Sequence, residues 1–532
     1  MKRREFIKNT VPFAALPIVL NGLPITALGN PDMMNALSGA FVNTDHVLVL
    51  IQLSGGNDGL NTVIPIDQYT NLAKARSNVM IPISKVLVLN GVDSTGFHPS
   101  MTHMRSLFDN EKLSVVQGVG YPNPNYSHFR ATDIWHTASD SNEVLTSGWV
   151  GRYLSHEFPN FPNGFPNTDM PDPLALQVGS VVSTVCQGVS VNMGMAISDP
   201  SAYYQLLTGN YTQSPTTKAG KELDYVRQVA EQSNAYGQAV KNAGDKGANK
   251  STKYPTTGQN RLADQLKIVA QLISGGLKTR IYIVTQGGYD THAAQVDATA
   301  GNEKGSHANL LGQLSEAIDA FQDDVEQLGL ADRVLGMTYS EFGRRIMSNF
   351  SLGTDHGAAA PLFLFGKNVK PGILGKNPTI ASTVEVNDNL PMQYDFRSVY
   401  ASVLKDWFCL EDTEVDSVLL KTHQQLPLVN ENACTTSSVE RARLRKSGDA
   451  YVMNYPNPVR DFTTIRFEST GNHILLQIFN SQAQLIETLV DSEMPHGEHE
   501  VIFNATALAS GTYYYRYQNG SLQQTKAMVV AR

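Results

Sequence analysis

The sequence predicts an α/β fold, with a mostly parallel sheet covered by helices on both faces, followed by a small all-β sandwich. Two observations predict the larger part: short apolar strands alternate with amphipathic helices from about Asp45 to Leu428, and three of the strands run into turns that carry an acid. A third observation predicts the smaller part: from Tyr451 onward, apolar and polar residues alternate as they do in half-buried strands. The chain is therefore expected to fold in two parts.

Periodicity places the elements of the predicted sheet. The clearest helix is His307 to Leu328, where apolar residues recur every three or four positions, and a second helix is Leu262 to Ile273. The region from Phe158 to Pro173 is rich in Gly, Asn and Pro, which predicts a long surface excursion that frames a site. The strand candidates are Val47 to Leu53, Leu113 to Val119, Ile281 to Thr285, Val334 to Tyr339 and Pro361 to Phe365.

Composition limits the classes of partner. The 532 residues are 41% hydrophobic and 17% charged, with a net charge of −8 and no long basic block beyond the N-terminus, so nucleic acid is not an expected partner. The three cysteines match no C-x-x-C spacing. At most one disulfide can form, and buried or free thiols are the simpler interpretation.

The N-terminus is typical of an export signal. Residues 1–29 begin with Lys2, Arg3 and Arg4 and continue into an apolar stretch, and the order Arg3-Arg4 before Phe6-Ile7-Lys8 resembles a twin-arginine signal. Prolines interrupt the apolar stretch, so a stable membrane-spanning helix is a poor fit, although an uncleaved anchor remains the alternative. No later segment is long and apolar enough to span a bilayer.

The C-terminal part begins after a polar stretch. Residues 430–447 are polar and charged with little periodicity, which indicates a linker between residues 45–428 and residues 448–532. Six short strands are predicted in the last 80 or so residues, as in a small β-sandwich.

Six candidate metal ligands follow strands or lie in glycine-rich turns. Four carboxylates and two imidazoles suit one or two divalent cations such as Zn²⁺ or Mn²⁺, and parallel strands bring their carboxyl ends to one edge of the sheet. Taken singly, each acid is better explained as a turn or capping residue. The candidates are Asp58, Asp290, His292, Glu341, Asp355 and His356.

Several phrases carry a resemblance to a known family. They include L-V-L-I-Q-L-S-G-G-N-D-G-L-N-T, G-G-Y-D-T-H, S-E-F-G-R-R and G-T-D-H-G-A-A-A-P, within about Asp45 to Leu410. They resemble the bacterial exported family catalogued as domain of unknown function 1501, which is grouped with the alkaline phosphatase and sulfatase superfamily. The resemblance implies an alkaline-phosphatase-like sheet, a divalent metal (Zn²⁺ or Mn²⁺, with Ca²⁺ or Mg²⁺ also allowed), and hydrolysis of phosphate or sulfate esters of small molecules or glycans.

The superfamily pattern transfers residue by residue, with one departure. Asp58 matches its early metal-binding Asp, Asp290 and His292 its later pair, and His356, with Asp355 beside it, its late His. Where the superfamily has Asp-His, this chain has Glu341-Phe342, and Phe342 cannot coordinate a metal. A non-catalytic surface or polysaccharide-associated binding protein that retains the fold is therefore the alternative.

The resemblance also implies a nucleophile and anion-binding residues. Ser127 has the setting of the superfamily nucleophile, at the start of a helix where an anion binds well, although Ser is also a preferred N-cap. His128, Arg130 and Arg344 are candidates for contacting the substrate, with solvated salt bridges as the alternative for the arginines. Three further histidines are interpreted as structural: His98, His136 and His307.

The C-terminal segment resembles a second family, the sorting domain of the Bacteroidota type IX secretion system. The phrases Y-P-N-P-V-R-D-F-T-T-I-R-F and L-A-S-G-T-Y-Y-Y-R-Y carry this resemblance. It implies the type IX translocon as a partner, and the N-terminal signal implies the twin-arginine translocon. Together they imply that the protein passes through the periplasm before secretion or surface attachment. A plain β-sandwich interaction module is the alternative.

Overall fold

The computed structural model describes residues 45–159, 161–189, 191–198, 233–434 and most of 452–530. It also describes the backbone of two short paired strands, Ile18–Leu20 and Leu23–Ile25. The rest of the predicted signal at 1–29 and most of the predicted linker at 430–447 lie outside the described residues. Within the described residues, no helix is long and apolar enough to cross a membrane.

The larger part is built on one nine-stranded sheet. The strands are β1 (Val47–Ser54), β2 (Leu113–Gly120), β3 (Ala175–Val178), β4 (Gly194–Ile197), β5 (Ile281–Gly287), β6 (Val334–Tyr339), β7 (Ala360–Phe365), β8 (Gly372–Leu374) and β9 (Tyr394–Asp395). Their order in the sheet is β8–β2–β7–β6–β1–β5–β3–β4, with β9 beside the carboxyl end of β2. Of these strands, only β7 runs antiparallel to its neighbours.

Helices surround this sheet and connect its strands. The helix containing 233–246 is described only from residue 233. The helices are α1 (Gly59–Thr62), α2 (Tyr69–Ala75), α3 (Thr102–Asp109), α4 (His128–Thr137), α5 (Trp149–Glu157), α6 (233–246), α7 (Arg261–Ser274), α8 (Ser306–Gln327), α9 (Phe396–Ser402) and α10 (Asp412–Leu419), with a π-helical turn at Val403–Trp407. Two small sheets flank them: Val63–Pro65 with Leu87–Leu89 and Val92–Phe97, and Arg344–Ser348 with Thr354–His356.

Strand β1 shows why the sheet is covered on both faces. Alternate residues of a strand point to opposite sides. Leu48 and Leu50 pack into the core that contains Trp149 of α5, whereas Val49 packs into the core that contains Phe321 of α8. A strand that is buried on both faces has to be apolar throughout, as this one is. The predicted α/β architecture is therefore confirmed.

The C-terminal part consists of two antiparallel sheets that share one apolar core. One has three strands and the other has four, as the predicted β-sandwich requires. The strands are β10 (Val452–Tyr455), β11 (Phe462–Ser469), β12 (His473–Phe479), β13 (Leu485–Glu493), β14 (Gly497–Asn504), β15 (Gly511–Asn519) and β16 (Leu522–Val530).

Two interpretations from the sequence need correction. Cys409 and Cys434 form a disulfide, so only Cys186 is a free thiol, and it is buried. The region from Phe158 to Pro173 is not a simple surface excursion, because Phe158, Phe165 and Met170 are buried in the core. The sequence showed its turn-forming residues, but the inward direction of the aromatic rings depends on the tertiary packing.

Candidate metal site at the carboxyl edge of the sheet

The turns after β1 and β5 pack against each other, and glycine permits this approach. Gly55 has a φ of +125°, and a Cβ atom there would lie 2.3 Å from the backbone nitrogen of Asp290. Any other residue would push the two turns apart, since L-residues rarely adopt this φ and the space is filled by backbone. The two glycine-rich turns thus bring the residues that follow β1 next to Asp290.

Three imidazoles surround the carboxylate of Asp290. Its Oδ1 lies 3.2 Å from Nε2 of both His292 and His356, and its Oδ2 lies 3.4 Å from Nε2 of His128. The Nε2 atoms of His292 and His356 are 2.9 Å apart. Facing lone pairs at this distance repel each other, and a proton or cation between them removes the repulsion. The four side chains therefore form an imidazole-rich cluster.

The other nitrogen of each imidazole is engaged by an oxygen acceptor. Nδ1 of His128 donates to Glu341 at 2.8 Å, Nδ1 of His292 donates to Asp355 at 2.9 Å, and Nδ1 of His356 donates to the carbonyl of Tyr126 at 2.7 Å. Because Nδ1 carries the hydrogen, the Nε2 lone pair of a neutral ring points into the cluster. This is the usual arrangement around histidine ligands of metals.

Arg344 holds Asp290 in its ionised form. Nη2 of Arg344 donates to Asp290 at 2.7 Å, and the guanidinium also donates to the carbonyls of Gly55, Gly56 and Thr354. Burial alone raises the pKa of Asp290, but the hydrogen bond and the charge of Arg344, together with the neighbouring imidazoles, outweigh it and lower the pKa to about 2. Asp290 is therefore a permanent anion at neutral pH.

The residues fit a divalent cation as donors. One ligand atom each from His128, Asp290 and His356 lie within 4.8 Å of one another. Ligand atoms on a tetrahedral Zn²⁺ are separated by about 3.3 Å, close to the spacings around Asp290. Burial lowers the pKa of His356, which favours the neutral ring that a ligand must be. His292 lies beside these three residues, with 43% of its side chain exposed, so the cluster is open to solvent.

Two predicted ligands contact imidazoles instead of facing the centre of the cluster. Glu341 is buried, and its Oε1 accepts from Nδ1 of His128 and from the backbone N–H of Gly55, each at 2.8 Å. Asp355 accepts from His292 and from Asn349. Both carboxylates thus contact an imidazole of the cluster, and their expected role as metal ligands stays a prediction. His128, expected to bind substrate, takes a place in the candidate ligand set.

Asp58 is separated from the cluster by its own partners. Both carboxylate oxygens accept from Nη1 of Arg76, at 2.9 and 2.8 Å, and Oδ2 also accepts from Gln295 at 2.6 Å. Burial raises the pKa of Asp58, but the charge of Arg76 outweighs it and the net pKa is lowered. With its oxygens engaged by protein donors, Asp58 is not among the residues whose ligand atoms lie together, and its expected role as a ligand stays a prediction.

The expected nucleophile and the expected anion-binding arginines have different surroundings. Ser127 is the exposed N-cap of α4 and directly precedes His128 of the cluster. Its side chain makes no capping hydrogen bond. Arg130 is bound to Asp133 and to the carbonyls of Asp140 and Glu143, so it closes the turn after α4. Arg344 is fully engaged as described above. Both arginines are thus engaged by protein acceptors, and the expected roles of Arg130, Arg344 and Ser127 toward a substrate stay predictions.

Phe342 lies against two imidazoles of the cluster. Its ring centroid is 5.0 Å from that of His128 and 4.5 Å from that of His356. A Cβ atom on Gly56 would come within 2.4 Å of the same ring, so the turn after β1 closes over it. Phe342 is thus an apolar support for two imidazoles of the cluster.

A cleft of about 810 Å³ opens beside the cluster. Three walls form it: the carboxyl ends of β1, β3 and β5, the exposed side of α4, and the loop 181–184. His128, Asp290 and Glu341 lie where the cleft meets the cluster. The size is within the range of small-molecule sites. The remaining lining residues include Gln52, Ser54, Thr285 and Gln177 from the strands, Phe129, Thr132, Asp133 and His136 from α4, and Val181, Val182, Ser183 and Thr184 from the loop.

The three histidines interpreted as structural are buried, and burial favours their neutral form. Burial lowers the pKa of His98 to about 3 and those of His136 and His307 to about 4. His136 bridges Thr184 and Tyr339, and Nε2 of His307 lies 3.0 Å from Asn57. His98 and His307 are structural, as interpreted, whereas His136 also lines the cleft. Nothing in the spacing of the sequence singled out His136 for this position.

The sheet with its imidazole-rich edge and the appended sandwich define an α/β protein with a candidate metal site and a separate β-domain. Residues 45–419 match the family described as Protein of unknown function (DUF1501). Since this match covers more than half of the chain, the chain belongs to that family. Residues 453–531 match the Secretion system C-terminal sorting domain. The protein is thus exported by type IX secretion, to the cell surface or the medium.

Comparison with solved structures gives only distant similarity. PorZ of the type-IX secretion system of Porphyromonas gingivalis is 22% identical over 15% of this chain and 11% of its own, with a TM-score of 0.12. The chain thus spans about a tenth of PorZ. An alkaline phosphatase superfamily protein from Vibrio parahaemolyticus is 8% identical over 91% of this chain and 83% of its own, with a TM-score of 0.31.

A third similar structure is the PsFucS1 sulfatase from Pseudoalteromonas sp. It is 10% identical over 86% of this chain and 84% of its own, with a TM-score of 0.30. Scores at this level carry no argument about the site. A search of the curated proteins gave no significant match.

Proposed function

We propose that the exported protein is a metal-dependent hydrolase of phosphate or sulfate esters, with one centre held by His128, Asp290 and His356 and with His292 beside it as the fourth candidate ligand. The observation that carries this proposal is the set of three Nδ1–H donors bound to oxygen, which turns three Nε2 atoms toward one ionised carboxylate. An imidazole-rich set favours Zn²⁺ over Mn²⁺, Ca²⁺ or Mg²⁺, which prefer oxygen ligands.

The ester class follows from what surrounds the cluster. A divalent cation would supply Lewis acidity, neutralising charge on the ester oxygens and acidifying a nearby hydroxyl or water. His128 is the first residue of α4, and backbone N–H groups at a helix start attract anions. Ser127 precedes it with an exposed hydroxyl that makes no capping bond, so it remains the candidate nucleophile.

The test is metal analysis of the full chain purified without chelator, followed by assays with 4-nitrophenyl phosphate and 4-nitrophenyl sulfate. We expect about one equivalent of metal per chain, lost in Asp290→Asn and His356→Ala, and turnover that depends on it. Glu326→Gln is the matched control, because Glu326 pairs with Lys112 on the surface. Wild-type protein without metal, or variants that retain it, would contradict the proposal.

One observation favours a second function. Phe342 occupies the position of a superfamily ligand and packs on His128 and His356, so a second metal has no ligand there. A single centre that binds an anionic ester without turnover fits the alternative, a non-catalytic surface-binding protein. Stoichiometric metal together with no hydrolysis of either ester, and saturable binding of a phosphate or sulfate ester, would favour this second function.

A further inference from the structure

The cleft beside the cluster contains a buried polar group that lacks a partner. Gln177 on β3 has only 7% of its surface exposed, and its Oε1 has no hydrogen-bond partner within the described residues. Leaving a buried amide oxygen without a hydrogen bond is costly. Gln177 lines the cleft, so a bound molecule with a hydroxyl or amide donor is able to satisfy it.

Gln177 belongs to a polar surface that continues the core face of the sheet. Leu48 and Leu50 on β1 point into the same core as Ile283 on β5, and the next residues on that face are Gln52 and Thr285. These two residues are paired in register, and both line the cleft. The face therefore changes from apolar to uncharged polar where the core ends and the cleft begins.

The charges of the cleft disfavour a polyanion. Among the described residues that line it, none is lysine or arginine, and the charged ones are Asp133, Asp290 and Glu341. Arg130, the nearest basic side chain along α4, is held by Asp133 and by carbonyl groups. An ester's anionic group has a place at the cluster, but a second anionic group in the cleft would meet only acids and neutral side chains.

An aromatic ring stands at the rim. Phe129 is 92% exposed and lines the cleft directly after His128. A large exposed ring beside neutral hydrogen-bonding side chains offers an apolar face together with polar contacts. A sugar ring presents the same combination, C–H groups on one face and hydroxyls around the edge.

We infer that the cleft binds the leaving group of the ester, and that this group is a neutral, hydroxyl-rich saccharide unit anchored by Gln177 and stacked on Phe129. This inference rests on the proposed function only for the position of the anionic group at the cluster. Binding of the neutral saccharide itself needs neither metal nor turnover, so the two ideas fail separately.

The experiment uses the full chain and two pairs of variants. Gln177→Met keeps the length of the side chain and removes its hydrogen-bonding atoms. Gln322→Met is the matched control, because Gln322 in α8 is also buried, has amide atoms without a partner in the described part of the chain, and does not line the cleft. Phe129→Ala removes the exposed ring, and Phe462→Ala removes an exposed ring from the C-terminal domain.

Binding of methyl glycosides of glucose, galactose, mannose and fucose is measured by saturation-transfer NMR, with and without chelator. We expect at least one glycoside to bind in both conditions, about tenfold more weakly in Gln177→Met and Phe129→Ala, and equally well in both controls. Absence of binding in wild type, or equal affinity of Gln177→Met and Gln322→Met, would overturn the inference. Absence of metal with this pattern retained would overturn the proposed function alone.

Where hydrolysis is found, the same variants are assayed with a sugar phosphate or sulfate and with the 4-nitrophenyl esters. We expect Gln177→Met to lower kcat/KM about tenfold for the sugar ester and less than about twofold for the 4-nitrophenyl ester, whose leaving group cannot donate to Oε1. An equal loss for both esters would show a general structural effect and would contradict the assignment of Gln177.

Discussion

Glu341→Gln tests whether a buried carboxylate orients the candidate ligand His128. Oε1 of Glu341 accepts from Nδ1 of His128 and from the N–H of Gly55, and glutamine retains an oxygen for both donors. What the substitution removes is the negative charge that makes the imidazole a stronger ligand. Loss of such a partner typically weakens metal affinity 10- to 100-fold, or about 1.4–2.8 kcal/mol.

The assay is a competition titration of Zn²⁺ and of Mn²⁺ against a chelator, with wild type, Glu341→Gln and the surface control Glu326→Gln. Urea denaturation of the metal-free proteins measures the effect on folding alone. We expect a cost to folding within about 1.5 kcal/mol, because both hydrogen bonds to Glu341 keep an acceptor.

Two results would refute this reasoning. Affinity of Glu341→Gln within twofold of wild type would show that His128 is not oriented by this carboxylate, or is not a ligand. Complete loss of binding in a protein that still unfolds cooperatively would instead show that Glu341 coordinates the metal itself, as the sequence alone suggested.

Three further predictions concern stability. Arg76→Ala leaves Asp58 as an uncompensated buried carboxylate and should cost about 3–5 kcal/mol by urea denaturation, and a loss below about 1 kcal/mol would contradict the buried pair. Cys434→Ser opens a disulfide that spans 25 residues and should cost about 3.5 kcal/mol in the chain-entropy estimate, whereas the same change at Cys186 leaves that disulfide intact. Acid should destabilise the fold between about pH 6.5 and pH 4, because in this range the imidazoles are protonated in the unfolded chain but stay neutral in the folded protein. His136→Gln should flatten the dependence of the melting temperature on pH, and an unchanged slope would contradict this prediction. The imidazoles concerned are those of His98, His136 and His307.

The sequence predicted the sheet because local patterns carry the information. A strand that is buried on both faces is apolar at every position, and a helix on such a sheet is apolar every three or four residues. The predicted helix from His307 to Leu328 differs from α8 by one residue at each end, and the predicted strand from Val47 to Leu53 differs from β1 by one. Four short strands of the nine-stranded sheet were not predicted, since two to four residues hold too little pattern: β3, β4, β8 and β9.

The sequence by itself placed Asp290, His292 and His356 among the site residues, since acids and imidazoles in glycine-rich turns after strands collect at one edge of a sheet. Only the tertiary structure decided their partners. Arg76 pairs with Asp58, and Arg344 pairs with Asp290. Glu341 accepts a hydrogen bond from His128, which lies 213 residues away in the sequence. Which side chains pair depends on which of them are packed together in the folded protein, and their spacing in the sequence does not show this. For the same reason the sequence did not reveal that the buried amide oxygen of Gln177 lacks a hydrogen-bond partner within the described residues.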